Sequence, residues 1–519
     1  MVPNGIEKRL LQAGTGPLPR QANVAIVGGG LAGLELAKEL ERRGVRDVIV
    51  LEAGPAADFR HVNVKHDDAV TTTMCFSPRT DKHFHRPFGS LSGRHYTLNS
   101  GLRRRLGGRS LYWHGVVLPL ESWALREPWW PSEVTTDLTG NRPGAFSLYD
   151  EVMLELQAWQ GRGVPRYADA PEAVEVGAER LVRTPSACRA VGAGRWQAYS
   201  PLDYWSEEPG GEDSADAARF VCDIEVVAVE VQGGAATGVF AARAGSREVF
   251  RVGADTVVLC AAAVENARLA IQALSETGAL TTARLGGVAD HIVQGFLLKV
   301  DSASPRLPEY LLRPGSYVAP ARAEHRSYLR FDIARPKPGE ILVDVRTTGE
   351  QVRRPESFVE CRTDGAHPWP TFVHTSTCAQ DDAVIAGQRE MLAEFWSALA
   401  HDLRVPAKAL EFEEFGRQVR TNTTVLPEFV AALPPGRPLT WVSLLGTEDH
   451  EGGTLPLGSV LDERHQLAGV PNLYAAGPTS FPRLGAANPS LTSLALAHRL
   501  AALLAGSGRH SSSTRRAVQ

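Results

Sequence analysis

The sequence predicts a mixed α/β fold, an α+β composite in which a Rossmann-type nucleotide-binding domain is joined to a second domain built on an antiparallel sheet. Three stretches predict it. Residues 24–54 read as strand, glycine turn, helix, strand and terminal acid. Residues 220–269 read as a meander that ends in a buried strand and a helix. Residues 295–445 carry alternating strand patterns followed by one long helix. A chain of 519 residues, 43% hydrophobic and 22% charged, has an ample core for two domains or one large composite. The net charge of −4 gives no basic surface for nucleic acid or anionic membranes, and neither is expected as a partner. The six cysteines are scattered without CxxC or metal-ligand spacing, as in a protein of the reducing cytoplasm. No signal-peptide core is expected at the N-terminus, and no apolar run reaches the roughly 18 residues of a membrane span.

Val24 to Val27 is an all-apolar run suited to a strand buried on both faces. Gly28, Gly30 and Gly33 follow in GxGxxG spacing. The first permits a tight turn, the second lets a pyrophosphate approach the backbone, and the third lets helix and strand pack closely. Leu34 to Arg43 is helical, with apolar residues at 34, 36, 37 and 40, and Gly44 ends it. The helix N-terminus offers N–H groups to phosphate. Val48 to Leu51 closes on Glu52, about 20 residues past the last glycine, where a carboxylate accepts hydrogen bonds from ribose hydroxyls. The stretch predicts a dinucleotide site and leaves open whether NAD or FAD fills it.

Residues 55–105 lack periodicity and read as an excursion over a ligand. Leu106-Gly107-Gly108-Arg109-Ser110 is either a backbone nest for an anion or flat ring, or an ordinary glycine turn. Trp123, Trp129 and Trp130 either line a pocket or pack a domain edge. Leu148 to Gln157 reads as a helix, and residues 165–215 as a Pro- and Gly-rich surface connection. Thr256 to Cys260 is a buried strand, followed by a helix from Ala263. Ser327 to Ile333, Glu340 to Thr347 and Ser357 to Arg362 are strands, and Asp382 to Leu403 a helix. Leu467 to Ala476 holds a short strand. Pro489 to Ala505 is an apolar helix with Asn488 placed as its cap. Residues 506–519 are expected to be a disordered tail.

Taken together these landmarks resemble the glucose–methanol–choline (GMC) oxidoreductases, a family of flavoproteins. The glycine turn with Glu52 resembles its ADP-binding unit, and LGGRS at 106–110 its GG-x-S flavin loop. CAAAVENARL at 260–269 is similar to its strand-to-helix segment, although Ala262 stands where glycine is more usual. GGVADH at 286–291 resembles the family's approach to the substrate domain. Asp449-His450-Glu451-Gly452-Gly453-Thr454 fits the His-x-x-Gly-Thr motif, and Ala487-Asn488-Pro489-Ser490-Leu491-Thr492 completes the C-terminal block. The resemblance implies an FAD-binding domain over residues 1–294, a substrate domain over 295–445, and a return to the FAD domain over 446–505, with 506–519 as the tail. It implies cofactor contacts at Gly28, Gly30, Leu31, Ala32, Gly33, Glu52, Ala53, Gly107, Gly108, Ser110, Val226, Ala261, Gly477, Asn488 and Pro489.

Alcohol oxidation needs a base for the hydroxyl proton, an acceptor for the carbon-bound hydride, and groups that fix the oxygen between them. The resemblance implies flavin N5 as the acceptor. His450 is then the base, and Asn488 the amide that donates to the substrate oxygen. His83, His85, His95 and His114 read as structural or surface residues. Some relatives hold FAD through a histidine at the position of Tyr112, so noncovalent FAD is expected here, with His114 the nearby alternative. Gly477-Pro478 stands where some relatives carry an acid, and the N–H groups of Ala476 and Gly477 are its substitute. No metal is expected. The substrate is a small-molecule alcohol, first a sugar, glycoside or polyol and second a bulky natural-product or sterol-like alcohol. The electron acceptor, oxygen or another, stays open. A hydroxynitrile-type lyase with a structural flavin and a noncatalytic nucleotide-binding protein are the readings from other classes.

Overall fold

The computed structural model describes residues 3–11, 19–62, 81–97, 100–140, 144–192, 195–207, 217–243, 246, 248–304, 307–365, 367–412 and 433–515. In chain order, the elements that build the site are β1 (Gln21–Val27), α1 (Leu31–Arg42), β2 (Val48–Leu51), α2 (Leu148–Gln160), β3 (Ala173–Val176), β4 (Glu179–Arg183), β5 (Arg219–Val221) and β6 (Ile224–Gln232). Then follow β7 (Ala235–Arg243), β8 (Val249–Leu259), α3 (Ala263–Glu276), β9 (His291–Asp301), β10 (Gly315–Val318), β11 (Ser327–Lys337) and β12 (Glu340–Glu350). The last are α4 (Ala379–Leu403), β13 (Leu439–Val442), β14 (Leu473–Ala475) and α5 (Ser490–Arg515).

Strand β1 lies between parallel neighbours. Val24 pairs with Val48 of β2 on one side and with Thr256 of β8 on the other. Strand β5 extends the sheet beyond β2, β7 and β6 extend it antiparallel beyond β8, and β14 adds a parallel partner to β8. The apolar run predicted for β1 follows from this position, because both faces are covered. Val24, Ile26, Val48, Val50 and Val258 pack against Leu34, Ala37 and Leu40 of α1 and Leu500 of α5. Ala25, Val27, Ile49, Leu51 and Val257 face the opposite core. Helix α1 is itself wrapped by α2 and α5, so three of its charged residues, Glu35, Lys38 and Glu39, are buried. The Lys38 ammonium donates to Glu35 and Glu155 at 2.6 Å and to Tyr199 at 2.9 Å. His498 of α5 bridges Glu35 at 2.8 Å and Glu151 of α2 at 2.9 Å.

The second sheet has seven strands in the order β13-β9-β12-β11-β10-β4-β3, all antiparallel. Strands β3 and β4 come from a stretch that reads in sequence as a surface connection. Their alternation, Ala173-Val-Glu-Val and Glu179-Arg-Leu-Val-Arg, lets them close the far edge of the sheet. One face is apolar: Leu329, Phe331, Ile333, Ile341, Val343 and Val345 pack against Met391, Leu392, Phe395, Trp396 and Leu399 of α4. The period of two then sends Tyr328, Arg330, Arg346 and Thr348 to the other face.

Helix α5 begins at Ser490, and Asn488 does not cap it. Its side-chain oxygen accepts from Tyr328 instead. The helix runs on to Arg515, past residue 505, where the sequence places the start of the tail; residues 516–519 lie outside the described residues. The excursion after Glu52 is described except at 63–80 and 98–99, and the acidic stretch near 210 lies mostly outside the described residues. No described helix is long and apolar enough to cross a membrane.

Candidate active site

One cavity takes its walls from both sheets. From the first come Gly28, Gly30, Leu31, Ala32, Glu52, Ala53, Val226 and Ala261. From the second come Tyr328, Arg330, Arg346 and Thr348, with His450, Gly477, Asn488 and Pro489 contributed by the C-terminal segment. Gly28 has φ +105°, and a Cβ there would lie 2.5 Å from the Cys260 carbonyl oxygen, so only glycine makes this turn. Gly30 is different. A Cβ on it would meet no atom within 4 Å and would project into the cavity. A phosphate can therefore reach the backbone at the N-terminus of α1, as a dinucleotide requires. Gly33 is a packing residue away from the wall, its would-be Cβ 2.0 Å from the Gly28 oxygen.

Glu52 accepts N–H bonds from Gly29 at 2.9 Å and from Gly54 at 2.8 Å. Burial pushes its carboxyl up to about 7, partly offset by these two donors. The flavin-loop glycines divide their work. Gly108 lines the cavity. Gly107 donates its N–H to the Gly29 oxygen at 2.8 Å, and Ser110 donates to the Gly107 oxygen at 2.7 Å and meets Ser200 at 2.7 Å. Gly107 and Ser110 thus brace the glycine turn from behind instead of facing the cavity. The N–H of Ala476 donates to Leu259 across the β8–β14 pair, which corrects its expected role towards the cofactor; Gly477 remains on the wall.

His450 and Asn488, far apart in sequence, meet here, with Asn488 Nδ2 3.2 Å from His450 Nε2. On its other side His450 Nδ1 lies 2.8 Å from Nδ1 of His291, whose Nε2 lies 3.1 Å from the Gly485 carbonyl oxygen. Tyr328 donates its hydroxyl to Asn488 Oδ1 at 2.7 Å. Both neighbours of His450 are gripped by one side chain. Arg109 makes a two-pronged contact with Glu451 at 2.6 and 3.1 Å and pairs with Asp449 at 3.1 Å. Asp449 sits in the left-handed region with φ +60°.

The wall beside this pair is polar. Across β11 and β12, Tyr328 lies opposite Thr348 and Arg330 opposite Arg346. Two guanidiniums face each other because Asp332 pairs with both, at 2.9 Å to Arg330 and 3.3 Å to Arg346. Burial alone would raise Asp332, but the two arginines outweigh it and hold the carboxylate below its ordinary value. His114, expected as a bland residue, lines the cavity near them. Burial first, then Arg330 and Arg346, keep it neutral, well below its usual range. The other histidines of that region are structural. His83 meets Asp58 at 3.1 Å, and His95 accepts the Leu445 N–H at 3.2 Å. The tryptophans pack a domain edge: Trp130 is buried in the core, Trp123 lies under Arg483, and Trp129 is exposed.

A family profile described as "GMC oxidoreductase" matches residues 357–497, and another described as "FAD binding domain" matches residues 21–60. The chain thus carries a GMC oxidoreductase C-terminal domain together with an FAD-binding domain. It is an FAD-dependent enzyme of the class that acts on CH–OH donors. No curated protein sequence matches it. Among solved structures, pyridoxine 4-oxidase from Mesorbium loti is 17% identical with a TM-score of 0.55 and covers 93% of this chain and 98% of its own. Formate oxidase is 13% identical with a TM-score of 0.60 and covers 95% of this chain and 100% of its own. A variant of the formate oxidase of Aspergillus oryzae RIB40 is 14% identical, with the same coverage and TM-score. At these identities the structures show a shared fold.

Sequence reasoning missed several site positions of this enzyme. Tyr328, Arg330, Arg346 and Thr348 carried a readable signal, since they alternate with Leu329, Phe331 and Val345 on strands that were predicted. Arg109 stands at the unspecified position of GG-x-S, and His291 ends the GGVADH motif. Nothing in either pattern says which residues they touch.

Proposed function

We propose that this GMC oxidoreductase oxidises a hydroxyl of a sugar, glycoside or polyol-like substrate. The observation that carries this reading is the polar wall of Tyr328, Arg330, Arg346 and Thr348 beside His450 and Asn488. Desolvating two guanidiniums against a hydrocarbon skeleton is costly, whereas a substrate with several hydroxyls returns their hydrogen bonds. A sterol-like substrate fits that wall poorly. The substrates for which the two structural neighbours are named, pyridoxine and formate, are likewise small and polar.

In the reaction His450 Nε2 takes the hydroxyl proton, while Asn488 Nδ2 donates to the same oxygen and holds it as charge develops. FAD, when bound, supplies the acceptor for the carbon-bound hydride. Arg109 keeps the backbone on both sides of His450 in place. Tyr112 stands at the position of the family's linking histidine and donates to Asp81 at 3.1 Å, which supports a noncovalent cofactor. Acid precipitation then leaves the yellow colour in solution; colour retained in the pellet contradicts noncovalent binding.

The test of the substrate class is anaerobic flavin bleaching across hexoses, alkyl glycosides, linear polyols, benzyl alcohol and a sterol. Bleaching by a polyhydroxylated member is expected, and bleaching by the sterol or benzyl alcohol alone refutes the reading. Admitting air afterwards shows whether oxygen reoxidises the cofactor.

A further inference from the structure

We propose that His291 is a positioning residue that fixes His450 in the tautomer able to accept a proton at Nε2. This rests on the reading of His450 as the base. The assignment follows from the polarity of one chain of hydrogen bonds, read from both ends. At one end the Gly485 carbonyl oxygen can only accept, so His291 Nε2, 3.1 Å away, carries the hydrogen. His291 is 1% exposed, and burial lowers it to about 4, so the ring is neutral and has no second hydrogen for Nδ1. The contact of 2.8 Å between His291 Nδ1 and His450 Nδ1 needs one hydrogen, and His450 must supply it. A neutral His450 with its hydrogen on Nδ1 has a lone pair at Nε2.

The other end gives the same answer independently. Tyr328 donates to Asn488 Oδ1, so the amide turns its NH₂ group towards His450, where an acceptor is required. That acceptor is Nε2. The opposite tautomer would set lone pair against lone pair at 2.8 Å and donor against donor at 3.2 Å. The rings stand nearly perpendicular, at 84°, which lets the nitrogens meet edge to edge. His291 is itself held rigidly at the first position of β9, its backbone N–H bound by the Asp290 carboxylate at 2.8 Å. When Nε2 takes the substrate proton, the Nδ1–H of the imidazolium still donates into the His291 lone pair. His291 therefore stabilises the charge without touching the substrate.

The decisive measurement is the tautomer itself, from nitrogen NMR of the full FAD-loaded chain carrying isotope-labelled histidine rings, with His450→Gln and His291→Asn used to assign signals. We expect a protonated Nδ1 and an unprotonated Nε2 in His450, and the reverse in His291. A protonated Nε2 in His450 overturns the proposal. Kinetics give a second readout, with the panel alcohol that bleaches the wild type fastest as probe. His291→Asn leaves an acceptor oxygen near the lost Nδ1 and retains most of the rate. His291→Phe lowers kcat on the order of 10²–10⁴-fold, the range for losing a correctly disposed base, with KM and FAD content little changed. Equal rates for the Phe variant and the wild type overturn the proposal, as does an Asn variant no better than Phe. If the Phe variant fails to hold FAD, the wild-type tautomer decides. Bleaching that survives His450→Ala removes the base itself, whereas loss in His450→Ala with survival in His291→Phe removes this inference alone.

Discussion

Asp449 adopts a left-handed backbone one residue before His450, the proposed base, and Arg109 holds it there through its carboxylate. Such a conformation costs on the order of 1 kcal/mol or more and persists where contacts over-determine it. Arg109→Leu should thus lower the rate of flavin reduction while the cofactor stays bound, as a stopped-flow comparison with the wild type would reveal. His450→Ala should lose about 10²–10⁴-fold in the same measurement. Glu52 gives a pH-dependent prediction. Its carboxyl titrates near 7 instead of 4.5. The stability contributed by the protonated form is complete below about pH 4.5 and is lost as pH rises through 7, amounting to about 3 kcal/mol at ~1.4 kcal/mol per pH unit. Urea midpoints of the cofactor-free protein should therefore fall between pH 5 and 8, and Glu52→Gln should flatten that fall. Of these residues His450, Asn488 and Glu52 were legible, because each sits in a motif with a chemical reason for its spacing. Tyr328, His291 and Arg109 act through partners distant in the chain, and no local pattern encodes a partner.

At the scale of elements, helices α1, α2 and α5 are tied by the cluster of Glu35, Lys38, Glu39, Glu151, Glu155 and His498. Burial would lower His498, but hydrogen bonds to Glu151 and Glu35 and the surrounding carboxylates outweigh it and raise the imidazole to about 9. Burial would raise Glu35, but the Lys38 ammonium first and then His498 outweigh it and lower the carboxyl to about 2; the His498–Glu35 contact is shared, so the pair is counted once. The sign follows from the raised value. Stability is fully present below about pH 6.5 and is lost as pH rises through 9, by about 3 kcal/mol. Thermal melts between pH 6 and 10 should show this step, and His498→Gln should lack it while melting lower at pH 6. Four carboxylate and imidazole groups here have the spacing of a metal site, but the Lys38 ammonium already lies among them. The sequence showed α1 as a helix from its apolar positions. It could not show that the helix is covered on its charged side, because Glu-Leu-Ala-Lys-Glu reads as a solvated face until α5 is laid across it.

For the whole molecule, both sheets contribute walls to one cavity, so cofactor binding should stabilise the fold as a unit. At free FAD a hundredfold above its dissociation constant the gain is about 2.7 kcal/mol, visible as a melting temperature that climbs with added FAD. The two architectures were legible from strand periodicity and the glycine turn. The seam between them was less so, since β3 and β4 leave an apparently irregular stretch to join a sheet whose other strands come more than a hundred residues later. That interleaving has a consequence for synthesis. As the chain leaves the ribosome, the β1-α1-β2 unit appears first, yet β8, which pairs with the open edge of β1, follows some two hundred residues behind. Helix α5, whose His498 closes over the Lys38 cluster, follows β8 by roughly another two hundred residues. Until then an unpaired strand edge and a half-covered ionic cluster stay exposed, a state that invites aggregation. His450 and Asn488, the proposed catalytic pair, join the pocket roughly two hundred residues after β8, so a product that stops short of them lacks the proposed base.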